Sequence, residues 1–146
     1  MTFDDAIDLF EDQFFDFIYI DGFAHTGEEG GETLIKWYRK LKVDGVFAGD
    51  DYHEDWPLVM WAVNNFVNQS GASLMVTEKV EDTAFCQYPS WFIKKKNDAS
   101  NIQFTTSKSL KDLCSSERRR IEKKRQWRVK IRKIERTLNK ILKIKN

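Results

Sequence analysis

Asp21, Asp50 and Asp51 are the residues whose type and placement could do chemistry. Each closes a short apolar run: Phe17-Ile18-Tyr19-Ile20 leads into Asp21-Gly22, and Gly45-Val46-Phe47-Ala48-Gly49 leads into Asp50-Asp51. Runs of this length and aromatic, β-branched content read as strands buried on both faces, the pattern of parallel strands in an α/β sheet. Acids just past the carboxyl ends of such strands sit where open α/β sheets bind ligands. A helical stretch separates the two runs, so the strands are expected as parallel neighbours about 4.8 Å apart. All three carboxylates then share one rim. The plain alternative is that they cap helices and solubilise that rim. His53, two residues after the acid pair, is expected at the surface, with a ligand or substrate contact as the alternative.

The elements that must position these residues follow in order. Residues 4–12 fit a short amphipathic helix opened by acids, and the first strand runs over about 14–20. After the loop at 23–27, Leu34, Trp37, Tyr38 and Leu41 recur at intervals of three and four, an amphipathic helix over 32–41. Residues 42–45 read as a turn before the second strand. Asp55 is expected to cap a further helix with Pro57 in its first turn, and Gly71 to end it. Residues 73–77 and 84–93 read as an antiparallel pair joined by a hairpin near 81–83, with Pro89 marking a bulge or an edge. Trp37, Trp56, Trp61 and Trp91 lie at core-like spacings and are expected to pack.

The bulk numbers bound the possibilities. At 146 residues, 41% apolar and 14% aromatic, the chain suits one domain with a real core. No apolar run of about 18 residues is present to span a membrane, and the acidic start lacks the features of a signal peptide. Cys86 and Cys114 are far apart and show no metal-ligand spacing, so they are expected as reduced cysteines of a cytoplasmic protein. The net charge of +1 conceals a division: residues 1–107 hold 8 Lys and Arg against 19 Asp and Glu, residues 108–146 hold 16 against 4. An acidic head over 1–96 is expected, then a polar linker over 97–107 and a basic amphipathic helix over 108–146.

The order Asp16-Phe17-Ile18-Tyr19-Ile20-Asp21-Gly22, Ala24-His25, Leu34 to Lys42, and Gly45-Val46-Phe47-Ala48-Gly49-Asp50-Asp51-Tyr52 resembles the carboxyl-terminal half of class I S-adenosylmethionine-dependent methyltransferases. Within them it is most similar to the branch of macrocin-type and catechol-type O-methyltransferases, over roughly residues 3–96. The resemblance implies an α/β fold, part of a Rossmann-like sheet of order 3-2-1-4-5-7-6. This chain would carry the 4-5-7-6 portion, with strand 7 antiparallel and helices flanking it. It implies methyl transfer from S-adenosylmethionine to an oxygen of a small molecule or sugar. By the same resemblance Asp21 and Gly22 meet the cofactor, His25 acts as the general base, and Asp21, Asp50 and Asp51 hold a divalent cation such as Mg²⁺. Three hard oxygen ligands would leave coordination positions for water and substrate oxygens, and the metal would lower the pKa of a bound hydroxyl. A cationic sulfonium also suits an acidic rim. Ahead of Asp16, however, stand only about a dozen residues, and no G-x-G-x-x-G occurs; Gly27, Gly30 and Gly31 follow a loop. Most of the cofactor pocket is expected to be missing. The chain is expected to self-associate or to need a separately encoded amino-terminal half. The competing function is a non-catalytic remnant acting as an interaction module; metal-dependent hydrolysis on the same acids ranks third.

In the tail, Trp127, Ile131, Ile134, Leu138, Ile141 and Lys145 fall at alternating intervals of four and three, a heptad seam with basic faces around it. Coiled-coil self-association or docking, nucleic-acid contact through phosphate neutralisation, and a membrane surface all remain open at this level.

Overall fold

The computed structural model of the chain describes residues 3–21, 30–78, 88–98 and 102–144. Its elements are α1 (Phe3–Ile7), β1 (Phe15–Ile20), α2 (Glu32–Lys40), β2 (Leu41–Gly49), α3 (Pro57–Ser70), β3 (Met75–Val76), β4 (Trp91–Lys94) and α4 (Lys108–Ile144). They fall into two compact units, Met1–Cys114 and Ser115–Asn146.

In the first unit four strands make one mixed sheet in the order β1-β2-β4-β3. β1 and β2 are parallel, with Ile18 opposite Phe47 and Ile20 opposite Gly49. β4 runs antiparallel to both of its neighbours, β2 and β3. This is the expected α/β class, with helices flanking a mixed sheet.

Local chemistry explains most boundaries. α2 places Leu34, Trp37 and Tyr38 on its buried face, and Glu32 and Arg39–Lys40 sit at the ends that suit their charges. It stops at Lys40, and the chain enters β2 at once, without the separate turn expected at 42–45. A positive φ of 67° at Asp44 and a register shift between Phe15 and Phe17 absorb the irregularity. α3 begins with Pro57 and ends on a left-handed Gly71 (φ 64°), whose N–H donates to the Val67 carbonyl. Both ends follow the usual proline-in, glycine-out asymmetry. Its N-cap is Trp56 rather than Asp55. α1 is shorter than the 4–12 expected, because the helix gives way to a turn after Ile7.

The core lies between one face of the sheet and α2 and α3. Ile18, Ile20, Phe47, Trp91 and Ile93 meet Leu34, Trp37, Tyr38, Val59, Val63 and Phe66 there. Strand β1 corrects an expectation. Ile18 and Ile20 are buried, but Phe17 and Tyr19 on the alternate positions are 58% and 44% exposed. No described element covers that second face, so β1 is buried on one side only. Trp56 is likewise a correction, at 42% exposed, whereas Trp91 is fully buried.

The segment expected as a polar linker packs into the core. Phe104 stacks on Phe66 with ring centroids 5.3 Å apart, Ile102 joins the same cluster, and the Thr105 N–H donates to Gln69 Oε1 at 2.6 Å. The first two turns of α4 also belong to this unit, since Leu110 and Cys114 are buried against Leu58. The second unit is the remainder of α4, a helix whose side chains from Arg118 to Thr137 are all exposed. Among the described residues no helix is long and apolar enough to cross a membrane.

Candidate functional site

The carboxyl rim of β1 and β2 is built by close packing of backbone. A Cβ on Gly49 would lie 2.8 Å from both the Ile20 carbonyl oxygen and the Trp91 ring. Only glycine lets β1, β2 and the indole of β4 close together here. That contact sets where the chain leaves both strands, so Asp21 follows Ile20 and Asp50–Asp51 follow Gly49 on neighbouring strands. Asp21 is exposed and the acid pair half-buried, with Asp51 in the left-handed region at φ 57°. The three acids thus share one rim by register. Among the described residues, however, no group of three or more His, Cys, Asp or Glu side chains is placed to hold a metal ion. The carboxylates Asp21, Asp50 and Asp51 do not, as they stand, make the expected Mg²⁺ ligand set.

Beyond the acid pair the chain folds back on itself. The His53 N–H donates to the Asp51 carbonyl at 2.8 Å, and the Tyr52 N–H donates to the Pro89 carbonyl at 2.9 Å. The Tyr52 hydroxyl donates to Asn64 Oδ1 at 2.8 Å, fixing the loop to α3. His53 Nδ1 accepts the Asp55 N–H at 3.2 Å and lies 3.5 Å from Asp55 Oδ2. The Tyr88 hydroxyl donates to Asp55 Oδ2 at 3.3 Å. Its ring lies 5.2 Å from His53 and 5.9 Å from Trp56, at 85° to the latter. Burial first, then the Asp55 carboxylate, pushes the Tyr88 phenol above its ordinary pKa of 10.0.

This corner of His53, Asp55, Trp56 and Tyr88 beside the acid pair was not legible in advance. The spacing from His53 to Asp55 is a weak local signal, and Tyr88 arrives from 33 residues away. Chemically the rim is anionic, with an imidazole and a phenol at its side. It can attract a cationic group and hydrogen-bond a hydroxyl. Gly22 and His25 lie outside the described residues, as does Cys86.

The fit of S-adenosylmethionine turns on the glycines. Gly30 and Gly31 have φ of 76° and 87° and precede α2, the position a phosphate- or cofactor-cradling turn would take. A Cβ on Gly30 would meet Thr106 Cγ2 at 2.5 Å, and one on Gly31 would meet Ala62 Cβ at 3.1 Å. Protein fills both places. These glycines let the start of α2 lie against α3 and the 102–106 segment, and they do not cradle a ligand. The described residues offer one acidic rim, not a complete cofactor pocket. No protein-family model matches the chain, and none of the curated proteins compared with it matches either.

Proposed function

We propose that residues 1–114 are the acceptor-side part of a methyl-transfer domain of the S-adenosylmethionine-dependent O-methyltransferase type, acting on an oxygen of a small molecule or sugar. The observation that carries this is the sheet order β1-β2-β4-β3, with a parallel pair joined through α2 and one antiparallel strand set between β2 and β3. A mixed four-stranded sheet with one antiparallel strand beside a parallel pair supports the reading of a carboxyl-terminal methyltransferase half. The acids sit at the strand ends, where such sheets bind ligands. Asp21 is the described residue assigned to the cofactor, and Asp50, Asp51 and His53 line the acceptor side. The same reading gives Asp21, Asp50 and Asp51 to a divalent cation, and what supports it is their place at the ends of two neighbouring parallel strands. Among the described residues no glycine turn cradles a ligand, and in this reading a further segment carrying a strand, a glycine-rich turn and a helix completes the cofactor pocket.

Equilibrium dialysis with labelled S-adenosylmethionine tests this. The expected result is a dissociation constant weaker than about 1 mM for the chain alone, and measurable binding once a complementing segment is supplied. In the complemented form Asp21→Asn weakens binding tenfold or more, about 1.4 kcal/mol. Absence of binding in both forms, or indifference to Asp21→Asn, defeats the proposal. In that case a second function stands, a non-catalytic interaction module, which the open aromatic face at Phe17 and Tyr19 favours.

A further inference from the structure

We infer that the second unit, the exposed stretch of α4, is a binding helix for double-stranded DNA that recognises the phosphate backbone. Over residues 115–137 it holds 11 Lys and Arg against three Asp and Glu. Two of those acids are already engaged along the helix. Glu117 pairs with Arg120, whose Nε donates at 2.7 Å, and Glu122 accepts from Gln126 at 3.2 Å. Every side chain from Arg118 to Thr137 is exposed. Eleven cations against three acids on an exposed helix create a positive potential that attracts a polyanion.

The distribution of residues selects among partners. A helix lying in a membrane interface needs a continuous apolar face. Between residues 115 and 126 the only large apolar side chain is Ile121, and the cations there step around the whole circumference. A coiled-coil seam needs three to four heptads of apolar a and d positions. Extended upstream from Trp127, the four-three spacing falls on Lys124, Arg120 and Glu117, so the apolar seam stops at about two heptads. Single strands are held by rows of stacking rings, and the exposed stretch offers one, Trp127, which is 67% exposed.

Duplex DNA fits what remains. An α-helix about 10–12 Å across enters a B-form major groove about 12 Å wide, whereas the major groove of A-form RNA is too narrow. The 23 residues span about 35 Å, close to one turn of the duplex. Cations on all sides then reach phosphates of both strands, and the binding is largely independent of sequence.

Fluorescence anisotropy with a labelled 20-base-pair DNA duplex and the full chain tests this. The expected log–log slope of affinity against salt is about −5, for roughly six phosphates neutralised. Replacing Arg125, Arg128, Arg132 and Arg136 together by Gln preserves helix propensity and should reduce the slope by about three units, with circular dichroism reporting the helix. Arg→Lys at the same four positions should keep affinity within about threefold, because the contact is one of charge. A slope near zero, or tighter binding to an RNA duplex or a single strand, overturns the inference. So does capture by phosphatidylserine vesicles without DNA binding, or a Gln variant that keeps both helix and affinity. If the Gln variant loses helix, the Lys variant decides, and loss of binding there counts against the inference.

Discussion

Lys95 shows how much of this molecule rests on a single polar side chain in an apolar place. It is fully buried. Its Nζ donates to the Tyr38 carbonyl at 3.1 Å and the Leu41 carbonyl at 2.6 Å, and lies 5.0 Å from the centre of the Tyr38 ring. The ammonium thus caps the end of α2, where the last carbonyls and the negative end of the helix dipole favour a cation. Lys95→Met keeps the stem but removes the hydrogen bonds to the Tyr38 and Leu41 carbonyls, the first of which still accepts the Leu41 N–H, a loss of about 1–3 kcal/mol by urea unfolding at neutral pH. Burial holds the Lys95 pKa below its ordinary value of 10.5. The unfolded chain therefore binds the proton more readily, and the desolvation cost in the folded state is present at neutral pH and relieved as pH climbs toward 10.5. The expected outcome is that the gap between wild type and Lys95→Met widens from pH 7 to pH 10. A constant or shrinking gap would show that the charge costs nothing where it sits.

Among the elements, β1 is the one whose surroundings are incomplete. Its outward positions Phe17 and Tyr19 stack on each other at 6.5 Å, and the Tyr19 hydroxyl shares a hydrogen bond with Ser90 Oγ at 3.2 Å. Among the described residues β1 is also an edge strand, with β2 on one side only. An aromatic edge strand with one open face is a template for pairing with another chain. Phe17→Ser with Tyr19→Ser should leave folding stability within about 0.5 kcal/mol, the usual range for exposed positions. It should lower the self-association that light scattering records for the parent chain. A parent that is monodisperse as a monomer would remove the motive for pairing, and a double variant that unfolds would show that the open face belongs to the core after all.

At the scale of the whole molecule, charge and packing draw their boundaries in different places. The composition changes sign near residue 108, yet the compact unit continues to Cys114. Leu110 and Cys114, at 8% and 1% exposed, close a small cluster with Leu58 and Trp61. A chain ending after Cys114 should melt at the temperature of the full chain. One ending after Ser107 should lose about 3 kcal/mol or more, the cost of deleting well-buried side chains. Equal stability of the two truncations would place the boundary at the charge change instead. Residue order alone determined the α/β class, the parallel pair through a helix, the proline and glycine ends of α3 and the basic helix, because each rests on local periodicity or backbone preference. It also put acids after two neighbouring strands. Only tertiary structure decided what depends on partners distant in sequence. Alternating aromatics in β1 read as buried on both faces, and whether a second layer covers them is not written in the strand. Phe104 reads as part of a polar linker until Phe66 stacks on it, Lys95 as a surface cation until α2 ends above it. Register brings Asp21 beside Asp50, but whether side chains converge on one point depends on angstrom-scale placement that spacing does not encode.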